Sequence, residues 1–272
     1  DADGTGTFSK TGVQLRWNYG DNGVTDNAVI DIRVYAIEHV YVSQGPFFLG
    51  SGGTEDGAFY KYPTTANAYQ ITSEDAIIIG NAAGNLFYPG GSDIGDQLGP
   101  IPSAFPKGYN GFYCMKYEIS QQGYVDFLNS LTQSQANNRK YNASANRYAI
   151  TGVTAGSYAT TNPFVAMLNL NWADLAAYLD WSGLRPMTEL EFEKSCRGTQ
   201  TAVPNEYAWG TSVIANSPYT LSNMGESNEN IATNYSSTAG NAAYTYTTFN
   251  VNINGPVRGG IFAGNVLNTG RV

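Results

Sequence analysis

Helical periodicity in this chain is confined to three short windows between residues 120 and 198. Long stretches rich in Gly, Pro, Asn and Tyr flank them, notably 45–111 and the region after 200. Gly and Pro at that density interrupt both the 3.6-residue and the two-residue pattern, so long elements are excluded. The chain must fold as an α+β domain with few short helices, small antiparallel sheets and much ordered loop. The first helix opens at Ser120, with Tyr124, Phe127, Leu128 and Leu131 spaced along one apolar face. The second is capped by Asn171, with Trp172, Leu175, Ala176 and Leu179 directed inward and Gly183 as the stop. The third lies in "GLRPMTELEFEKSCRG", residues 183–198. There Thr188 and Glu191 have capping-box spacing, each side chain satisfying a backbone N–H that the first turn leaves open. Glu193 and Arg197 are four apart in the favourable order for a surface ion pair. Phe192 and Cys196 share a face and are expected to be buried, and Leu190, about 200° around from Phe192, implies that the helix buries more than one side.

Strand signals are fewer. Val13, Leu15 and Trp17 alternate with polar residues, as do Ile30, Ile32 and Val34, with the turn "GDNG" between the two runs. Residues 1–35 therefore read as a β-strand segment, the end of a preceding β-sandwich domain, and 36–272 as the main domain. "AIIIG" at 76–80 and "FYCM" at 112–115 are further strand candidates. The opening "DADGTG" and the abrupt end at "NTGRV" suggest a piece of a longer polypeptide, C-terminally incomplete.

Charge narrows the partners. The 14 basic residues are scattered and the net charge is -8, so a nucleic-acid partner is excluded. No apolar run is long enough to span a bilayer. Only 13% of residues are charged, against about a quarter in an ordinary globular chain. Neutral hydroxyls and amides take their place, which suits an extracellular or cell-surface protein.

"FYCMKYEISQQGYVDFLNSL", "NLNWADLAAYLDWSGLRPMTELEFEKSCRG" and "YAWG" at 207–210 resemble, in order, the motifs of the formylglycine-generating (sulfatase-modifying factor) enzyme family. "AIEHVYVSQGPFFLGS" at 36–51 resembles that family's opening strand pair. Phe192 replaces the family's Trp, and Arg185-Pro186-Met187-Thr188 departs from its Arg-Leu-Pro-Thr. The resemblance implies a C-type-lectin-like fold. It also implies a copper oxidase only if two C-terminal cysteines are present, since soft thiolates hold Cu(I). Aligning Arg258-Gly259-Gly260-Ile261-Phe262 with the family's Arg-Gly-Gly-Ser-Trp puts those cysteines at Gly264 and Thr269, which cannot bind copper. In a second register this segment lies upstream of the active site, which then falls outside the chain.

The residues themselves offer little chemistry. Cys114 and Cys196 are the only cysteines. Two readings stay open for them, a pair of buried thiols or a disulfide between strand and helix. His39 is the only histidine and has no partner motif. Glu189 and Glu193 sit on one helix face, whereas acid/base pairs come from facing segments across a cleft. By the resemblance, the Asn223 side chain and the Met224 carbonyl stand where family members bind calcium, and "DADGTG" resembles the start of a calcium loop. The expected function is a non-catalytic secreted or cell-surface binding or assembly module, whose partner is a carbohydrate, another protein or a copy of itself. The alternative is a copper-dependent oxidase of the formylglycine-generating type, with its active-site cysteines outside these residues.

Overall fold

The computed structural model describes residues 11–55, 57–88, 99–142, 146–243 and 253–263. Twelve strands and four α-helices are named among them, and the strands pair as six antiparallel two-stranded sheets. β1 (His39–Val42) pairs with β8 (Phe112–Met115), placing Val40 opposite Cys114. β2 (Phe47–Leu49) pairs with β4 (Tyr69–Ile71), β3 (Tyr60–Lys61) with β6 (Leu86–Phe87), and β5 (Ile77–Ile78) with β7 (Pro100–Ile101). β9 (Ile150–Thr151) pairs with β10 (Ala159–Thr160), and β11 (Thr220–Ser222) with β12 (Asn230–Thr233). The expected opening strands β1 and β2 are therefore present, but each pairs with a later strand rather than with the other.

The helices are α1 (Gln121–Ser130), α2 (Gln133–Arg139), α3 (Trp172–Trp181) and α4 (Glu189–Arg197). Ser120, Asn171 and Thr188 cap α1, α3 and α4 through their side chains, as their spacing predicts. α2 was not foreseen. Its N-cap, Thr132, forms a capping box with Gln135, but only Ala136 is buried, so it has no apolar stripe to announce it.

Three apolar clusters hold the molecule together. Tyr124, Phe127 and Leu128 of α1 pack with Tyr178 and Leu179 of α3 and with Tyr148, Ile150 and Tyr158. Phe47, Leu49, Ile71, Ile77 and Leu86 pack around Leu190 of α4. Tyr219, Ala215, Ile253, Val257 and Ile261 form the third cluster. Trp172, expected inward, is exposed, because it stands in the first turn of α3, where Asp174 is the buried side chain.

The N-terminal segment departs most from expectation. Residues 11–38 form no strand; a 3-10 turn at Tyr19–Asn22 replaces the expected hairpin turn. Val13, Leu15, Trp17, Ile30, Ile32 and Val34 are all exposed. Alternation is present there, but no described strand pairs with it. No helix among the described residues is long and apolar enough to cross a membrane.

Candidate functional site

α4 was the richest stretch of the sequence, and its side chains serve the scaffold. Glu191 N donates to Thr188 Oγ1 at 3.1 Å, and Thr188 N donates to Glu191 Oε2 at 2.9 Å, completing the cap. Arg185 then grips both Glu191 oxygens, at 2.8 and 2.6 Å. Burial alone would raise the Glu191 pKa, but the Arg185 and Thr188 hydrogen bonds outweigh it and hold the carboxyl below its ordinary value.

The buried face of α4 matches expectation at Leu190 but not at Phe192. It consists of Leu190, Glu191 and Lys194, while Phe192 is 57% exposed and Cys196 is half-buried. The reason is polar. Lys194 is almost fully buried because its ammonium donates to the carbonyls of Gly108 (2.5 Å) and Tyr109 (3.2 Å), pinning the loop before β8. Lys107, also buried, pins the same loop through the carbonyls of Pro102 and Phe105. The expected pair of Glu193 and Arg197 forms at 2.6 Å, but it is not a plain surface pair. Arg197 is largely buried and also bonds Glu206 at 2.6 Å and the Phe48 carbonyl at 3.2 Å. Glu193 is thus held by an arginine, while burial and the neighbouring Glu193 charge raise the Glu189 carboxyl above its ordinary value. His39 opens β1 on an exposed edge.

Cys114 lies buried on β8, and Cys196 lies near it on α4; both are free thiols, and no disulfide joins strand to helix. Burial, Glu193 and Cys114 push the Cys196 thiol up to about 11, with only Arg197 opposing. Burial also raises the Cys114 thiol. The thiolate is both nucleophile and soft metal ligand, and burial disfavours it at both positions. At pH 8 a thiol at about 11 is roughly 0.1% ionised. Cys196 in the folded protein should therefore alkylate with iodoacetamide about a hundredfold more slowly than an ordinary cysteine, gaining about tenfold per pH unit up to about pH 11. Two thiols should titrate after denaturation without reductant. Rapid native alkylation of Cys196 at neutral pH would contradict this geometry.

Asn223 and Met224 sit on the exposed turn between β11 and β12, with Asn223 in a left-handed conformation. The turn is fixed from inside by Glu229, which is fully buried. Glu229 accepts from Gly225 N (2.7 Å), Arg258 N (2.9 Å) and the Arg147 guanidinium. Its carboxylate is thus committed to arginine and backbone donors. Asn223 Oδ1 and the Met224 carbonyl are two neutral oxygens, against the six to eight of a calcium shell. Among the described residues no group of three or more His, Cys, Asp or Glu could hold a metal. By themselves Asn223 and Met224 do not fit calcium, and exchange of EDTA for millimolar Ca²⁺ should leave Tm within about 1 °C. A rise of several degrees that Asn223→Ala abolishes would overturn that expectation. The "DADGTG" motif, Gly264 and Thr269 lie outside the described residues.

What the scaffold does present is a cleft of about 520 Å³, lined among others by Phe48, Ser51, Tyr62, Asn67, Thr201 and Pro204. Among the described residues, Lys61 is the charged side chain that lines it. Its walls combine local turns with hydrogen bonds over long sequence distances. Ser51 Oγ accepts from Gly53 N (3.0 Å) and Asn205 N (2.9 Å), and Asn205 Oδ1 accepts from Thr54 N (2.8 Å). Gly50, at φ 71°, lies so close to the Phe59 carbonyl that no Cβ fits there. The opposite wall is a tight turn in which Lys61 N donates to the Asn67 carbonyl (2.7 Å) and Tyr62 N to that of Asn85 (2.9 Å). Arg197 joins the two sides of the first wall by holding Phe48 and Glu206 together. Sequence reasoning missed this cleft and the buried Lys194, Arg147 and Glu229, because these arrangements join segments distant in the chain; it also missed Lys107, whose ammonium bonds the nearby Pro102 and Phe105 carbonyls, because a lysine in a polar loop reads as exposed. The glycine run at 50–53 was the cleft's one local signal.

A family model described as a sulfatase-modifying factor enzyme 1-like domain matches residues 80–266. None of the curated proteins matches the chain.

Proposed function

Because this chain belongs to the sulfatase-modifying factor enzyme 1-like family, we propose that it uses the family scaffold to bind rather than to oxidise. In this reading it is a non-catalytic, secreted or cell-surface module, and the cleft beside Tyr62 and Asn67 takes a neutral polyhydroxylated ligand, a carbohydrate chain. The observation that carries it is the chemistry of that cleft. Aromatic rings, an amide, hydroxyls and a lysine are among the described residues that line it, a set that stacks on and hydrogen-bonds to sugar. The walls are preorganised, which lowers the entropy lost on binding. The extracellular placement rests on composition, a surface of neutral polar residues with few charges.

A glycan array followed by calorimetry tests the proposal. A hit is expected, with affinity falling about tenfold in Asn67→Ala, which removes a lining amide but keeps the backbone bond to Lys61. An array with no hit, or a hit that Asn67→Ala leaves unchanged, removes the cleft as the binding site.

A further inference from the structure

We propose that residues 29–35 form an intermolecular β-strand that pairs antiparallel with the same residues of a second copy of this chain. Among the described residues no backbone hydrogen bond involves residues 29–36, and the segment leaves Val29, Ile30, Ile32 and Val34 exposed. An unpaired apolar strand of that kind is a pairing template. The side chains alternate. Asp31 and Arg33 lie on one side, where their ion pair at 3.2 Å shows the two-residue period, and Tyr35 packs on Trp181 at 5.3 Å. Ile30, Ile32 and Val34 take the other side.

The occupant is a second copy because the segment is complementary to itself. In an antiparallel pair centred on Ile32, Asp31 of each copy faces Arg33 of the other, and the intrachain ion pair becomes two cross-strand pairs. In the same register Ile30 faces Val34, Ile32 faces Ile32, and Val29 faces Tyr35. All the apolar side chains of the pair then meet apolar partners, and both charges are balanced. One strand pair alone buries less than the roughly 1,000 Å² of a stable interface. The dimer should therefore be weak and concentration-dependent. The proposal does not depend on the ligand cleft, and its failure leaves that reading intact.

Light scattering after size exclusion, on this chain at about 5 and 200 μM, tests it together with charge swaps. The wild type should be a dimer at the higher concentration. Arg33→Asp sets Asp against Asp across the strands and Asp31→Arg sets Arg against Arg; each should weaken the dimer about tenfold. The double swap restores opposite pairs and should recover dimerisation. Both positions are exposed, so Tm of the monomer should not move, and that control separates lost pairing from misfolding. A monomer at 200 μM would overturn the proposal, as would a dimer indifferent to the single swaps or one that the double swap fails to rescue. Amides of 29–35 protected from exchange in a monomer would assign the strand to another segment of the same polypeptide and overturn it too.

Discussion

Glu229→Gln should destabilise the protein by about 3–5 kcal/mol, the range for removing one partner of a buried ion pair. The glutamate is fully buried, and Arg147, its main partner, is only 8% exposed at the side chain. The amide keeps the shape but leaves the guanidinium buried without a counter-charge, beside the Gly225 and Arg258 N–H groups. The loss should spread over the region because Arg147 also holds the Pro256 carbonyl, and Arg258 holds the Glu229 carbonyl. The pH dependence has a definite sign. Burial alone would raise the Glu229 pKa; the Arg147, Gly225 and Arg258 hydrogen bonds together bring it below the ordinary carboxylate value of 4.5. A depressed carboxylate pKa gives stability that is complete above the unfolded value and lost as pH falls through the folded one. Urea titration should therefore show the full gap between wild type and variant at pH 7, narrowing only below about pH 4.5. An equal gap at pH 7 and pH 2.5, or none at pH 7, would contradict the arrangement.

Arg197→Met should have an effect of similar size, about 3–5 kcal/mol, and also a functional consequence. Met fills most of the volume of the aliphatic stem but leaves Glu206, 2% exposed at the side chain, without its arginine. Glu193 and the Phe48 carbonyl lose the same donor. Glu206 also accepts from Val203 N, so the 201–205 wall of the cleft is tied to Arg197 through it. Loss of ligand affinity should therefore exceed that of an exposed-charge control such as Lys116→Met, whose ion pair with Glu38 is on the surface. If Arg197→Met unfolds the chain, Arg197→Lys keeps the charge but cannot span Glu193, Glu206 and Phe48 together, and reports the affinity change alone. Unchanged affinity in Arg197→Lys would separate this cluster from the cleft.

The helices with apolar or capped beginnings were legible because their signals are local. Ser120, Asn171 and Thr188 each sit within four residues of the groups they satisfy. β5 and β8 were legible as apolar runs. α2 was not, since its Thr132–Gln135 box opens a polar helix that buries only Ala136. Strands of two to four residues are too short to show a period, so the pairing of β1 with β8 and β2 with β4 left no trace in sequence. The buried face of α4 was misassigned in part because hydrophobicity favours Phe192 over Lys194. What buries Lys194 is a pair of carbonyls some 85 residues away, at Gly108 and Tyr109. The cleft was invisible for the same reason, its walls meeting through Ser51, Asn205 and Arg197. The alternation at 29–35 reads as strand, yet the structure forms no strand there and offers it no partner among the described residues.

The account turns on whether this member of the family binds or oxidises. The direct measurement is oxygen-dependent turnover of a Cys-x-Pro-x-Arg peptide by the chain supplied with copper, followed by mass spectrometry. Cys114 and Cys196, held as thiols by burial, should support no conversion above the protein-free control, and Cys196→Ser should change nothing. Formylglycine formed over many turnovers and lost in Cys196→Ser would contradict the account and make this chain an oxidase.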